Sequence, residues 1–162
     1  PVSLYYAGDN GRSVRLLNAF GQEVHKGPLA SVGAFTNELL LVRQTPDGPF
    51  GLLHARTGAL VSGFVYDSVV VNSPSTFYLY QRGGKWGLMD AGGREVEPPR
   101  YDFAHPYNYC VWLKHRDYGL LMNRRNEVFD FDGPYQNVLL QPNERGAWVL
   151  QNGNWGLVKF WW

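Results

Sequence analysis

Residues 85–96 read KWGLMDAGGREV: an aromatic–glycine pair, an aliphatic run, a glycine turn and a second short apolar run. The pair Trp86-Gly87 returns as Trp155-Gly156, Tyr118-Gly119 and Phe50-Gly51, and more weakly as Val14-Arg15. Its second positions, 15, 51, 87, 119 and 156, are spaced by 36, 36, 32 and 37 residues. The surroundings agree too. Residues 14–24 read VRLLNAFGQEV and residues 118–128 read YGLLMNRRNEV, both without a gap, and 50–61 fit with one insertion. A period of this size is the mark of a tandem array.

Turn formers bracket each copy. Asn10-Gly11, Asp47-Gly48, Gly83-Gly84 and Asn152-Gly153 precede the pair, and only His115-Arg116-Asp117 lacks glycine there. Gly and Asn accept the positive φ of tight hairpins. Phe20-Gly21, Thr57-Gly58, Gly92-Gly93 and Arg125-Asn126 follow it. Each copy then reads as four short strands, at 76–82, 86–90, 94–97 and 101–104 in the clearest one, with Pro98-Pro99 expected to break the ladder into a turn. The stretch 31–42, SVGAFTNELLLV, has a helical period of its own, which the array overrides. Both faces of the second strand are apolar, so cover on both sides is expected. Trp86, Trp155, Tyr118 and Phe50 share one position and are expected in the core.

The fold expected is therefore all-β: tandem repeats of short antiparallel strands stacked face to face, as a β-solenoid or a propeller-like array of about four and a half copies. A single domain spans 1–162, with copies at 2–35, 36–73, 74–107 and 108–143, a half copy at 144–162, and a longer chain around it. Composition fits: 162 residues with six Trp, ten Tyr, nineteen Gly and ten Pro favour strands and turns over long helices.

At Lys85-Trp86-Gly87-Leu88-Met89-Asp90 and Gly93-Arg94-Glu95-Val96-Glu97-Pro98-Pro99-Arg100-Tyr101-Asp102 the chain resembles the WG-repeat family. The resemblance implies a β-rich interaction module of bacterial type, some of whose members sit among toxin and immunity systems. Arg15 departs from the pattern where glycine is usual, as do Arg124-Arg125 where the neighbouring copy has Gly92-Gly93.

Chemistry-bearing patterns are sparse. His25, His54, His105 and His115 have no metal-ligand spacing, and neither a phosphate loop nor a nucleophile elbow occurs. The lone Cys110 lies in an apolar run, as a buried thiol would. Asp67 and Asp102, each after a Tyr, suit turn capping better than acid–base work. The reading is of no enzyme and no cofactor. The net charge is +1 and no basic tract exists, which speaks against nucleic acid. No apolar run reaches the length of a membrane span, and a single cysteine fits a cytoplasmic location.

Two edges remain for a partner. The partner is expected mainly on the one that gathers Arg56, Arg94, Arg124 and Arg125, with Arg124 and Arg125 as contacts, and the other, with Arg116 and Asp117, is the next candidate. Arginines standing where turns prefer glycine suggest contact with another protein of acidic surface, a toxin if the chain is an immunity protein. The alternative is a carbohydrate- or cell-wall-binding module using Trp161, Trp162, Tyr107 and Tyr109.

Overall fold

The structure, a computed structural model, describes residues 5–9, 13–36, 38–70, 77–107, 110–123, 135–141 and 145–159. Among them every regular element is a strand and every ladder is antiparallel. A first sheet pairs β1 (Tyr5–Asp9) with β2 (Ser13–Leu17). A second has the order β3 (Ser31–Ala34), β4 (Leu39–Arg43), β5 (Phe50–His54), β6 (Leu60–Tyr66). A third follows as β7 (Ser68–Val70), β8 (Phe77–Arg82), β9 (Lys85–Asp90), β10 (Glu95–Tyr101). The fourth comprises β11 (Phe103–Pro106), β12 (Cys110–His115) and β13 (Tyr118–Asn123). The fifth comprises β14 (Asn137–Leu140), β15 (Gly146–Gln151) and β16 (Asn154–Lys159). None of these sheets closes into a barrel.

Four buried clusters each draw on two consecutive sheets. Leu16 meets Leu29, Val42 and Leu53. Leu39, Leu52 and Tyr66 meet Tyr80 and Met89. Leu79, Leu88 and Tyr101 meet Val111, Leu113 and Met122. Trp112 and Leu121 meet Val138, Ala147, Val149 and Val158. A middle sheet is thus apolar on both faces, which is why its central strands read as unbroken apolar runs.

One local expectation is corrected and another is met. Pro98 and Pro99 make no turn: β10 runs through them, and its ladder to β9 is irregular between Glu97 and Tyr101. An edge strand tolerates a residue without an N–H, because one of its sides needs no partner. The 31–42 stretch forms β3 and the start of β4, with Phe35 and Thr36 amides both donating to the Leu39 carbonyl between them.

Candidate functional site

The hairpin turns set the frame. Arg82 pairs with Lys85 around Gly83-Gly84, Gln151 with Asn154 around Asn152-Gly153, and His115 with Tyr118 around Arg116-Asp117. One residue separates turn from aromatic in the first two cases, and none in the third. Tyr118 therefore occupies the place of Lys85, and Gly119 that of Trp86. The strands that follow agree: Tyr101 pairs with Trp86 and Tyr66 with Phe50, but Tyr135 bridges to Gly119.

A slip of one residue in a strand sends every side chain to the other face. Trp86 and Leu88 face the following sheet, whereas Leu120 and Met122 face the preceding one. Two consequences follow. The Trp112 ring fills the room beside Gly119, where a Cβ would collide with the indole nitrogen. Tyr118, expected in the core, is instead 57% exposed at the seam between the third and fourth sheets.

That seam holds a groove of ≈ 380 Å³ lined by Arg100, Tyr101, His115, Tyr118, Gly119 and Leu120. Its polar head is a connected set. The Tyr101 hydroxyl donates to Glu97 Oε2 at 3.0 Å, and the Arg100 guanidinium donates to the same oxygen at 2.9 Å and to the hydroxyl at 3.0 Å. Burial pushes the Tyr101 phenol above its usual range, so it stays a donor at any physiological pH. The guanidinium also lies 5.2 Å from the Tyr101 ring centre, on the path of a cation–π contact. Leu120 and Tyr118 supply the apolar part.

Asp102 fixes the other rim. Its Oδ2 accepts the Arg116 amide at 2.7 Å and lies 3.5 Å from His115 Nδ1, while Oδ1 pairs with Lys85 Nζ. The same place in neighbouring seams caps the same hairpin: Asp67 accepts the Gly84 amide and Gln136 the Gly153 amide. Arg116 stands at φ +53°, a conformation costly for a residue with a side chain, and this amide bond helps to hold it there. The Arg116 amide and then Lys85 hold the Asp102 carboxyl at about 2, well below its ordinary value. Because the folded value is the lower one, the stabilisation is complete above the unfolded value of about 4 and is lost as pH falls through about 2. Asp102→Asn should lower the urea midpoint at pH 6, and its gap from the parent should close by pH 2. A gap that does not change with pH would show that the carboxylate charge plays no part.

The sequence-derived residues divide between two edges. Arg116 and Asp117 lie in the β12–β13 turn beside the groove, both exposed and, among the described residues, without an ion pair. Arg56 and Arg94 lie in the β5–β6 and β9–β10 turns on the opposite edge, where Thr36 Oγ1 donates to the Ala91 carbonyl at 3.4 Å. Arg94 is engaged with Asp90 of its own hairpin at 3.0 Å, and Arg56 is exposed. Arg124 and Arg125 fall outside the described residues, as do Tyr109, Trp161 and Trp162. Sequence reasoning passed over Arg100, Tyr101, Leu120 and the seam role of Tyr118. The signal for Tyr118 was the missing residue between Arg116-Asp117 and the aromatic. Among the described residues no three His, Cys, Asp or Glu side chains converge as a metal site.

No protein-family model matches the chain, and no curated protein matches it. Solved structures similar to it include Hsv2 of Kluyveromyces lactis, at 7% identity and a TM-score of 0.42 over 94% of this chain and 58% of that one. Hsv2 of Kluyveromyces marxianus is similar at 9% identity and 0.43, over 92% and 56%. The extracellular domain of BT4673 from B. thetaiotaomicron is similar at 9% identity and 0.39, over 98% and 27%. The chain spans less than two thirds of the length of each.

Proposed function

We propose that the chain is a non-catalytic protein-binding module of WG-repeat type, a tandem array with the character of an open propeller or a solenoid. The observation that carries the binding reading is the groove at the third seam. It arises where one copy departs from the spacing of the others, and such departures are expected at functional or strained sites. An apolar or aromatic side chain of a partner fits against Tyr118 and Leu120, and a neighbouring carboxylate reaches Arg100 or Arg116. The preferred partner is thus a protein with an acidic, partly apolar surface, and a bacterial toxin neutralised by an immunity-type protein is the narrower form of the proposal. The competing surface is the opposite edge, which carries Arg56 and Arg94.

The test needs a partner recovered from the native host by affinity capture. Arg100→Ala with Tyr118→Ala should weaken its binding at least about tenfold, as removal of an arginine and an aromatic anchor does. Far-UV circular dichroism should be unchanged, since Tyr118 is exposed. Full affinity in this variant, with loss in Arg56→Glu/Arg94→Glu, would move the surface to the other edge.

One observation favours carbohydrate binding as a second reading. The rings of Phe103 and His105 on β11 and of Tyr107 just past its end run in file, with centroids 6.2 Å and then 4.6 Å apart. Binding of glycans, abolished by Phe103→Ala, would support that reading over the first.

A further inference from the structure

The charges around the groove cancel, apart from one histidine. On β12, His115 continues the row of Val111 and Leu113, which pack towards the third sheet, whereas Lys114 lies on the reverse face. His115 lines the groove with Arg100, Tyr118 and Leu120. Its side chain is 48% exposed, and Nδ1 lies 3.5 Å from Asp102 Oδ2.

The permanent cations of the elements around it are each matched by a carboxylate. On β10, Arg100 pairs with Glu97 at 2.9 Å. Lys85 on β9 pairs with Asp102. Arg82 on β8 pairs with Glu95 on β10 at 2.6 Å. In the turn that follows His115, Arg116 and Asp117 carry opposite signs. The Asp102 carboxyl, held at about 2, keeps its charge far below neutral pH. Tyr101 and Tyr118 are of a side-chain type that ionises near pH 10. The net sign of the groove is therefore set at His115. With a neutral imidazole, an incoming carboxylate meets a guanidinium already bonded to Glu97. With an imidazolium, it meets one positive charge in excess.

The place before the turn also sets this sheet apart. It holds Arg82 in the third sheet and Gln151 in the fifth. Arginine keeps its charge at any physiological pH, and glutamine has none. Of the three residue types, histidine alone changes charge between about pH 8 and pH 5.

Resting on the groove as the partner's site, we propose that His115 is its pH switch: a proton gained there turns a groove of balanced charge into one that captures a carboxylate. The acidic, partly apolar surface of the partner then binds more tightly at about pH 6 than at about pH 8. The charges are partly exposed, so salt screens the gain.

The probe is 3-phenylpropionate, which joins one ring to one carboxylate. NMR follows its binding through the Gly119 and Leu120 amides at about pH 6 and about pH 8, both above the range in which its carboxyl takes up a proton. Affinity should be at least about threefold higher at the lower pH, the size of a partly exposed pair of charges. In His115→Gln it should be the same at both. His115→Lys, a permanent cation, should bind as tightly at the higher pH as at the lower. His25→Gln, in the β2–β3 connection, should keep the parent's difference, and 3-phenylpropanol, without the charge, should show none. Coupling is reciprocal, so bound probe should hold the proton on His115 to higher pH, read from its ring signals. His115 is exposed, and the circular dichroism of its variants should match the parent's. Equal affinity of the parent at both pH values, or a difference that survives His115→Gln, would overturn the switch and leave the groove standing. Unchanged Gly119 and Leu120 signals at either pH would remove the groove as a carboxylate site, and the switch with it.

Discussion

Trp112→Ala should destabilise the protein by about 3–5 kcal/mol, as truncation of a buried Trp does. Trp112 is buried among Cys110, Leu121, Tyr135 and Val138. Its ring meets Phe103 edge-on at 5.5 Å and covers Gly119. No other ring is available for that place, because the slip after Arg116-Asp117 put a glycine where Trp86 and Trp155 stand in their own sheets. Removing the indole leaves a cavity whose walls are strands already committed to ladders, so little collapse is possible. Trp112→Phe is the discriminating companion. The indole N–H is buried without a partner among the described residues. An unsatisfied donor costs about 1–3 kcal/mol, and phenylalanine removes it. The lost ring volume and the removed penalty then offset one another, and Trp112→Phe should cost under about 1.5 kcal/mol. Urea unfolding followed by circular dichroism measures both. Equal losses in the two variants would mean that the N–H has a partner after all and that this bond, rather than ring area, carries the loss.

Much of the architecture was readable from residue order because turn chemistry is local. Gly83-Gly84, Asn152-Gly153 and Gly93 take the positive φ that their residue types favour, and the strands beside them begin within a residue or two of the expected places. Asp67 and Asp102 cap turns, as their position after a Tyr suggested. Reading failed where a long-range pairing outvoted a local rule. Pro98-Pro99 looks like a turn in one dimension. On a sheet edge it is a strand with an irregular ladder. Tyr118-Gly119 matches Trp86-Gly87 as letters, yet strand register is counted from the hairpin, and the hairpin comes one residue early. Tyr118 and Trp155 were expected in the core for their position in the repeat, and both are exposed, for different reasons: Tyr118 is on the opposite face, while Trp155 is on the expected face of the fifth sheet, a face that no other described strand packs against. The groove could not be read at all, since Arg100 and His115 meet only through the seam between two sheets.

Gly87→Val should cost about 3 kcal/mol, a fall of roughly 6–12 °C in Tm for a chain of this size. Gly87 is buried opposite Tyr80, whose ring folds across it. A Cβ there would lie 2.6 Å from Tyr80 Cζ and 2.7 Å from both the Tyr80 hydroxyl and the Glu97 carbonyl oxygen. The first contact could be relieved only by moving a ring that is fully buried and packed edge-on against Tyr66 at 5.2 Å. The last cannot be relieved cheaply, because Glu97 is held in register against Leu88. The added volume also pries the Tyr80 hydroxyl from the Glu97 carbonyl to which it donates at 3.3 Å. Overpacking alone costs about 1–3 kcal/mol, and the broken bond adds about 1. The control is Gly156→Ala. Gly156 holds the matching place in β16, and no described atom lies within 4 Å of its would-be Cβ. A strand glycine in open space is worse than alanine by about 0.5–1 kcal/mol, so this exchange should be neutral or stabilising. If Gly87→Ala proved as harmless as Gly156→Ala, the close approach of Tyr80 and β10 would not be the reason for glycine at the centre of the repeated pair.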